Sequence, residues 1–491
     1  MRLTVHPGAP LAGAVRPPGD KSITHRAFLL GLVSEGVTVV ENPNPGADCA
    51  STLACAARLG AACETGKSAV EIRGCAGTLT EPDGVLDCGN SGTTLRILAG
   101  ALAAQPFLAV LSGDASLNRR PVARVIEPLR RMGATLTARD GDRLPPLVIR
   151  GGRLKGIRYD LPVPSAQVAT SVLLAALGAE GETEITLPGP ARDHTERMLR
   201  AFGVEVESEA RNGAGPRLRL VGPVRPRATR LSVPGDFSAA AFFLAAAAAT
   251  PGASVTALGV SLNPTRSALL DALEHMGARV ERRARPGAGE EPVGDVTVTG
   301  PERLRAVDLP ADWVPRMIDE IPAWAIAAAT AAGVSRLTGA QELRVKESDR
   351  LALLAANLSA LGIAVRERPD GLEIEGGKIT GGRVVTGGDH RIAMAFAVLG
   401  TRASGAIEID DAASIPTSYP GFAEALAALG GHFEATTAGA AGAANGRRGA
   451  RAEGAGRGGS ARATSARRAK PERRASQGRR PAPPALRRQA S

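Results

Sequence analysis

The sequence predicts an α/β protein of two similar domains, each built from three copies of one strand-and-helix unit. Three observations carry this. An apolar residue followed by Gly, placed after an amphipathic stretch and before a short alternating one, recurs at Leu59-Gly60, Met132-Gly133, Phe202-Gly203, Met276-Gly277, Leu361-Gly362 and Leu429-Gly430. PPGDKS at Pro17 to Ser22 is echoed by VPGDFS at Val233 to Ser238, which divides the six units into three and three. A chain of 491 residues also exceeds what one hydrophobic core usually organises.

Each unit has a local reason. HTERMLRAFG and RSALLDALEHMG space apolar residues three and four apart, as one face of a helix requires, and the Gly supplies the left-handed residue that ends it. The VEVE and ARVE that follow alternate like half-buried strands. Units about 70 to 85 residues apart are too long for solenoid repeats, which run to roughly 20–45 residues.

Charge and composition exclude other classes. The net charge of +11 suggests a nucleic-acid binder until it is located. Residues 437–491 hold 14 of the 60 Lys and Arg and 2 of the 49 Asp and Glu, so the remainder carries a net charge of −1. That tail, made almost wholly of Ala, Gly, Arg, Ser and Pro with Leu486 as its one large aliphatic residue, is expected to be disordered. Weak, salt-dependent binding of polyanions is the most it is expected to add, without specificity for nucleic acid. The longest apolar run, Ala239 to Ala249, is too short to span a bilayer, and MRLTVHPGAP lacks an export leader, so a cytoplasmic protein is expected. Cys49, Cys55, Cys63, Cys75 and Cys88 show neither a CxxC spacing nor a His at a metal-ligand interval, so free thiols are expected, with no metal.

The chemistry-bearing residues lie where loops run into helices. In PGDKSITHR, Lys21, Ser22 and Arg26 follow a Pro-Gly turn, where free backbone N–H groups would join two cations and a hydroxyl around an anion. DCGNSGTTLR repeats the design with Asn90, Ser91, Gly92 and Thr93 ahead of Arg96. Arg119 and Arg120 precede Pro121, Ser165, Ala166 and Gln167 open another helix, and Arg192, Asp193 and His194 open the next. The second half adds acids: Asp319 and Glu320 before Pro322, then LRVKESDR, where a helix would put Lys346 and Arg350 on one face beside Glu347, and then Asp389, His390 and Arg391. Carboxylates among cations suit proton transfer on a polyanionic substrate.

PGDKSITHR, GNSGTTLR, RDHTE, LRVKESDR and GDHRIAMAF, in this order over residues 1–436, resemble the signature segments of the enolpyruvyl-shikimate-phosphate synthase family, the 3-phosphoshikimate 1-carboxyvinyltransferases. GDRLP at Gly141 to Pro145 and Ala166 after Ser165 resemble the second of its two bacterial sequence classes. The resemblance implies an enolpyruvyl transferase fold of three βαβαββ units per domain, with domain I from residues 1–20 and 235–436 and domain II from 21–234. It also implies transfer of the carboxyvinyl group of phosphoenolpyruvate to the 5-hydroxyl of shikimate-3-phosphate by a monomer, without cofactor, at a glyphosate-sensitive site. Lys21, Ser22, Arg26, Ser165, Ala166, Gln167, Arg192, Asp319 and Lys346 match the shikimate-3-phosphate site, and Lys21, Gly92, Arg120, Gln167, Arg350 and Arg391 match the phosphoenolpyruvate site. Lys21, Asp319 and Glu347 match the proton-transfer positions. Where some relatives carry a Lys, PTSYP offers Thr417 and Ser418. The related transferase acting on a UDP-linked amino sugar carries a Cys in the loop matching LNRRP, and this loop has none.

Overall fold

A computed structural model describes residues 1–211, 215–286 and 290–436. The tail 437–491 read above as disordered lies outside the described residues. Among the described residues there are six small sheets, four of four strands, one of five and one of three. In residues 86–150, Leu86–Asp87 runs parallel to Leu108–Ser112, which pairs antiparallel with Leu144–Arg150, itself antiparallel to Thr135–Ala138. Helices Gly92–Ala103 and Ala123–Met132 fill the connections, which gives the order βαβαββ.

Two units borrow their first strand from a distance. Ala12–Val15 runs parallel to Ser254–Ser261, and Arg230–Ser232 runs parallel to Val37–Glu41. The chain therefore crosses between the two sets of three units twice, at the two Pro-Gly-Asp echoes. There the segments pair with each other: Asp20 N donates to Pro234 O and Asp236 N donates to Pro18 O, each at 2.8 Å. A Cβ on Gly19 would collide with the Asn42 carbonyl, so the echo needs its glycine. The amino-terminal strand Arg2–His6 lies between Ile407–Ile409 and His432–Thr436 and completes the last sheet.

Buried apolar residues form two clusters, one from Ile23 to Val233 and one from Leu3 to Val15 together with Phe237 to Leu429. At the centre of the first, helix Gly92–Ala103 packs on Lys21–Val33 and on Ala166–Ala176; Phe237–Ala249, Ile321–Ala328 and His390–Gly400 pack on one another in the second. These helices are apolar nearly all round because neighbours surround them. Outer helices such as Ala123–Met132 and His194–Ala201 are amphipathic, and the six recurring glycines that follow the outer helices all have φ between +74° and +116°.

Candidate active site

The inner helices aim their amino termini at one place. Asp20, Ser91, Ser165, Asp236 and Asp389 each cap one, accepting a bond from a backbone N–H one turn inside, a contribution of about 1 kcal/mol apiece. Asp236 also accepts from Lys21 N at 3.0 Å, so it serves a helix end on each cluster. The N–H groups left over and the helix dipoles make this a region of positive potential.

The termini enclose a cavity of about 160 Å³. Lys21, Arg26, Arg96, Arg120, Arg124 and Arg192 line one side with Ser22, Gly92, Ser165, Ala166 and Gln167; Asp319, Glu347, Lys346 and Arg391 line the other. Several cations already hold a carboxylate. Arg192 Nη2 is 2.8 Å from Asp319 Oδ2, Arg120 Nη1 is 3.7 Å from Glu347 Oε1, and Lys21 Nζ donates to Asp48 Oδ2 at 3.1 Å. An anionic ligand entering here exchanges one set of charge-assisted bonds for another.

Burial opposes charge on Asp319, yet Arg391, Arg192, Lys346 and Arg350 hold it well below the usual carboxylate range. Glu347 is likewise held well below that range against burial, chiefly by Arg350 and Arg120. Burial also works against the Lys21 ammonium, and Asp48 outweighs it, so Lys21 sits above the ordinary lysine value. The cavity thus offers two ionised carboxylates and a protonated lysine. Burial lowers His390 to about 3, so it carries no charge near neutral pH, and burial raises the Glu320 carboxyl against Arg192 and Arg266.

Two side chains are locked by their neighbours. Arg26 donates from Nε to Thr195 Oγ1 at 2.8 Å, from Nη2 to Thr170 Oγ1 at 2.9 Å and from Nη1 to Ser22 O at 3.0 Å. Gln167 accepts from Arg96 Nη1 at 2.9 Å and donates to Thr93 Oγ1 at 3.0 Å, which fixes its amide.

Sequence reasoning and geometry part company at three residues. Arg350 does not line the cavity: fully buried, it lies behind the wall, bound to Asp389 at 2.8 Å and Glu347 at 2.6 Å. Lys346 and Arg350 do not share a helix face, because Asp349 caps the helix through Ala352 N and it starts only at Arg350; Lys346 ends the preceding short 3-10 turn. Arg119 is exposed, while Arg120 beside it is buried. Asp48, Arg124 and Glu342 line the cavity without having been singled out. Arg124 stands in the first turn of helix Ala123–Met132, 3.6 Å from Glu342 Oε1, and no spacing in the sequence marks it.

Two sets of three βαβαββ units around a cation-rich cavity define an enolpyruvyl transferase fold. NikO, an enolpyruvyl transferase from Streptomyces tendae, shares that fold with a TM-score of 0.69 and 19% identity, over 89% of this chain and 99% of that one. The sequence model of EPSP synthase (3-phosphoshikimate 1-carboxyvinyltransferase) matches residues 5–426, and the chain belongs to that family. The 3-phosphoshikimate 1-carboxyvinyltransferase of Acidithiobacillus ferrooxidans is 50% identical over 424 residues, 86% of this chain and 96% of that protein. Its counterpart in Xanthomonas axonopodis pv. citri is 49% identical over 418 residues, 84% and 93% of the two chains. A solved EPSP synthase from Acinetobacter baumannii superposes with a TM-score of 0.78 at 44% identity, covering 88% of this chain and 99% of that one.

Proposed function

We propose that the chain carries out its family's reaction in this cavity, joining phosphoenolpyruvate to shikimate-3-phosphate on the way to chorismate and the aromatic amino acids. The observation that carries the reading is the meeting of Lys21, Arg120, Arg192 and Arg391 with the ionised Asp319 and Glu347 around one small space. Such a set binds two polyanions and moves protons between them.

The 5-hydroxyl oxygen of shikimate-3-phosphate bonds to the middle carbon of phosphoenolpyruvate, its proton passing to Asp319 while the methylene carbon gains one. The tetrahedral adduct then loses its phosphate, which departs with a proton, and the new methyl group gives one up to restore the vinyl group. Lys21, protonated beside Asp48, suits the departing phosphate. Glu347 suits the methylene: it becomes an acid once substrate anions engage the cations that keep it ionised. Ser22, Arg26, Ser165, Ala166, Gln167, Arg192 and Lys346 hold shikimate-3-phosphate; Gly92, Arg120, Gln167 and Arg391 hold phosphoenolpyruvate. Arg350 serves through Glu347 and Asp389, which it fixes.

The two apolar clusters support domain I as residues 1–20 and 235–436 and domain II as 21–234, with closure about the two crossings. The chain is read as acting as a monomer. The five free thiols suit the reducing cytoplasm. No helix among the described residues is long and apolar enough to cross a membrane.

Proton NMR of an incubation with both substrates tests the reading. The expected product is a carboxyvinyl ether at the 5-oxygen, formed together with inorganic phosphate. Unreacted substrates, or an ether at another oxygen, would overturn it.

A further inference from the structure

We infer that Asn263 is a positioning residue for this reaction: it docks the loop that bears Arg192 and so sets that arginine against Asp319 and Ser22. The inference rests on the reading of the cavity as the transferase site.

Arg192 lies two residues before helix His194–Ala201, with Asp193 in the N-cap position. An Asp there ordinarily accepts a bond from its own helix. The Asp193 side chain accepts none from a backbone N–H of its helix. Its Oδ2 accepts from Arg197 Nε of that helix at 2.9 Å, and its Oδ1 accepts from Asn263 Nδ2 at 2.6 Å. Asn263 stands on the other side: Leu262, next to it, packs on the apolar cluster that contains Phe237 to Leu429, whereas Ala191, next to Arg192, packs on the one that contains Ile23 to Val233. The cap has been exchanged for a bond across the cleft.

Asn263 is fully buried and its amide has a fixed orientation. Its Oδ1 accepts from Thr265 N at 2.9 Å and Thr265 Oγ1 at 2.6 Å, which leaves Nδ2 aimed at Asp193 and, at 3.4 Å, Glu291 Oε2. A buried amide donor facing a carboxylate makes one of the stronger neutral-to-charged bonds.

The same turn delivers Arg266. It is also fully buried, bound to Asp20 and, at 3.2 Å, to Asp236, the two caps at the chain crossings. The turn Asn263 to Arg266 thus touches both crossings at one end and the Arg192 loop at the other. Motion about the crossings carries the turn with it, and the Asn263–Asp193 bond carries Arg192 to its place 2.8 Å from Asp319 and 3.4 Å from Ser22 Oγ.

A swap of partners tests this on the full-length chain. Asn263→Asp sets two carboxylates against each other, Asp193→Asn sets two amides together, and the double variant restores one donor and one acceptor with their places exchanged. Each single variant is expected to raise KM for shikimate-3-phosphate about tenfold or more, with KM for phosphoenolpyruvate moved less than about threefold, and the double variant to recover to within about threefold. Single variants with unchanged KM for shikimate-3-phosphate overturn the inference. So does a double variant no better than the singles, and this holds even where a single variant fails to fold, since recovery is then the readout. An unsubstituted chain that does not turn over the two substrates instead removes the transferase reading, and this inference with it.

Discussion

Arg350 donates from Nη2 to Glu347 Oε2 at 2.6 Å from a fully buried position behind the cavity wall. Arg391, by contrast, lines the cavity and donates to Asp319 O at 3.0 Å. The two arginines should therefore fail differently. Arg391→Ala is expected to weaken phosphoenolpyruvate binding by about 1.5–3 kcal/mol, more than shikimate-3-phosphate binding, with little change in folding stability. Arg350→Ala takes from Asp389 its ion-pair partner and from Glu347 the nearer of its two, and is expected to lose about 3–5 kcal/mol of stability as well as phosphoenolpyruvate affinity. Denaturant unfolding and calorimetry on both variants check this; equal stability losses would contradict the distinction.

Glu196 supplies a pH dependence away from the chemistry. Burial pushes its carboxyl up to about 7 in the folded chain, whereas an unfolded Glu titrates near about 4.3. Between those values the folded state holds a proton that the unfolded state has lost, so its contribution is complete below the lower value and is lost as pH rises through the upper. Stability should fall across that window by up to about 1.4 kcal/mol per pH unit from this group. Glu196→Gln should remove that slope, as urea unfolding at pH 5, 6, 7 and 8 would register. An unchanged slope would show that other groups set it.

At Gly92, an added Cβ would stand 2.8 Å from Arg96 Nη1 and 3.6 Å from Arg120 Nη1. Arg96 can move, but moving breaks its bond to Gln167, and a methyl group in a filled pocket costs about 1–3 kcal/mol where neighbours resist. The unsubstituted enzyme is expected to be inhibited by glyphosate in competition with phosphoenolpyruvate. Gly92→Ala should lose inhibition by more than it loses substrate affinity, measured as the ratio of inhibition constant to KM. An unchanged ratio would clear Gly92 of any part in selecting the inhibitor.

Deleting residues 437–491 should leave folding and turnover intact, because His432–Thr436 already completes the last sheet against Arg2–His6. A truncated chain that is insoluble, or slower by more than about tenfold, would refute this.

Much of this was legible in the sequence, for physical reasons that differ by residue. The six-fold unit showed because each outer helix ends on a glycine at positive φ, a signal that survives divergence elsewhere. PPGDKS and VPGDFS announced two equivalent crossings, although only the fold reveals that they bond to each other. Lys21, Gly92, Ser165 and Arg391 were readable because helix starts carry a capping pattern. Arg350 was not, since its charge satisfies buried Asp389 and Glu347 from behind, and a sequence does not say which side of a wall a cation occupies. Asp48 and Glu342 escaped for the converse reason: each sits in an ordinary helical or turn context and gains meaning only from Lys21 or Arg124 brought near by folding.

Proton transfer by Asp319 and Glu347 between two bound polyanions is checked by continuous measurement of phosphate release. Release is expected only when phosphoenolpyruvate and shikimate-3-phosphate are both present. Asp319→Asn and Glu347→Gln should each slow release at least ~100-fold while ligand binding changes far less. Release from phosphoenolpyruvate alone, or near-normal release in either variant, would contradict it.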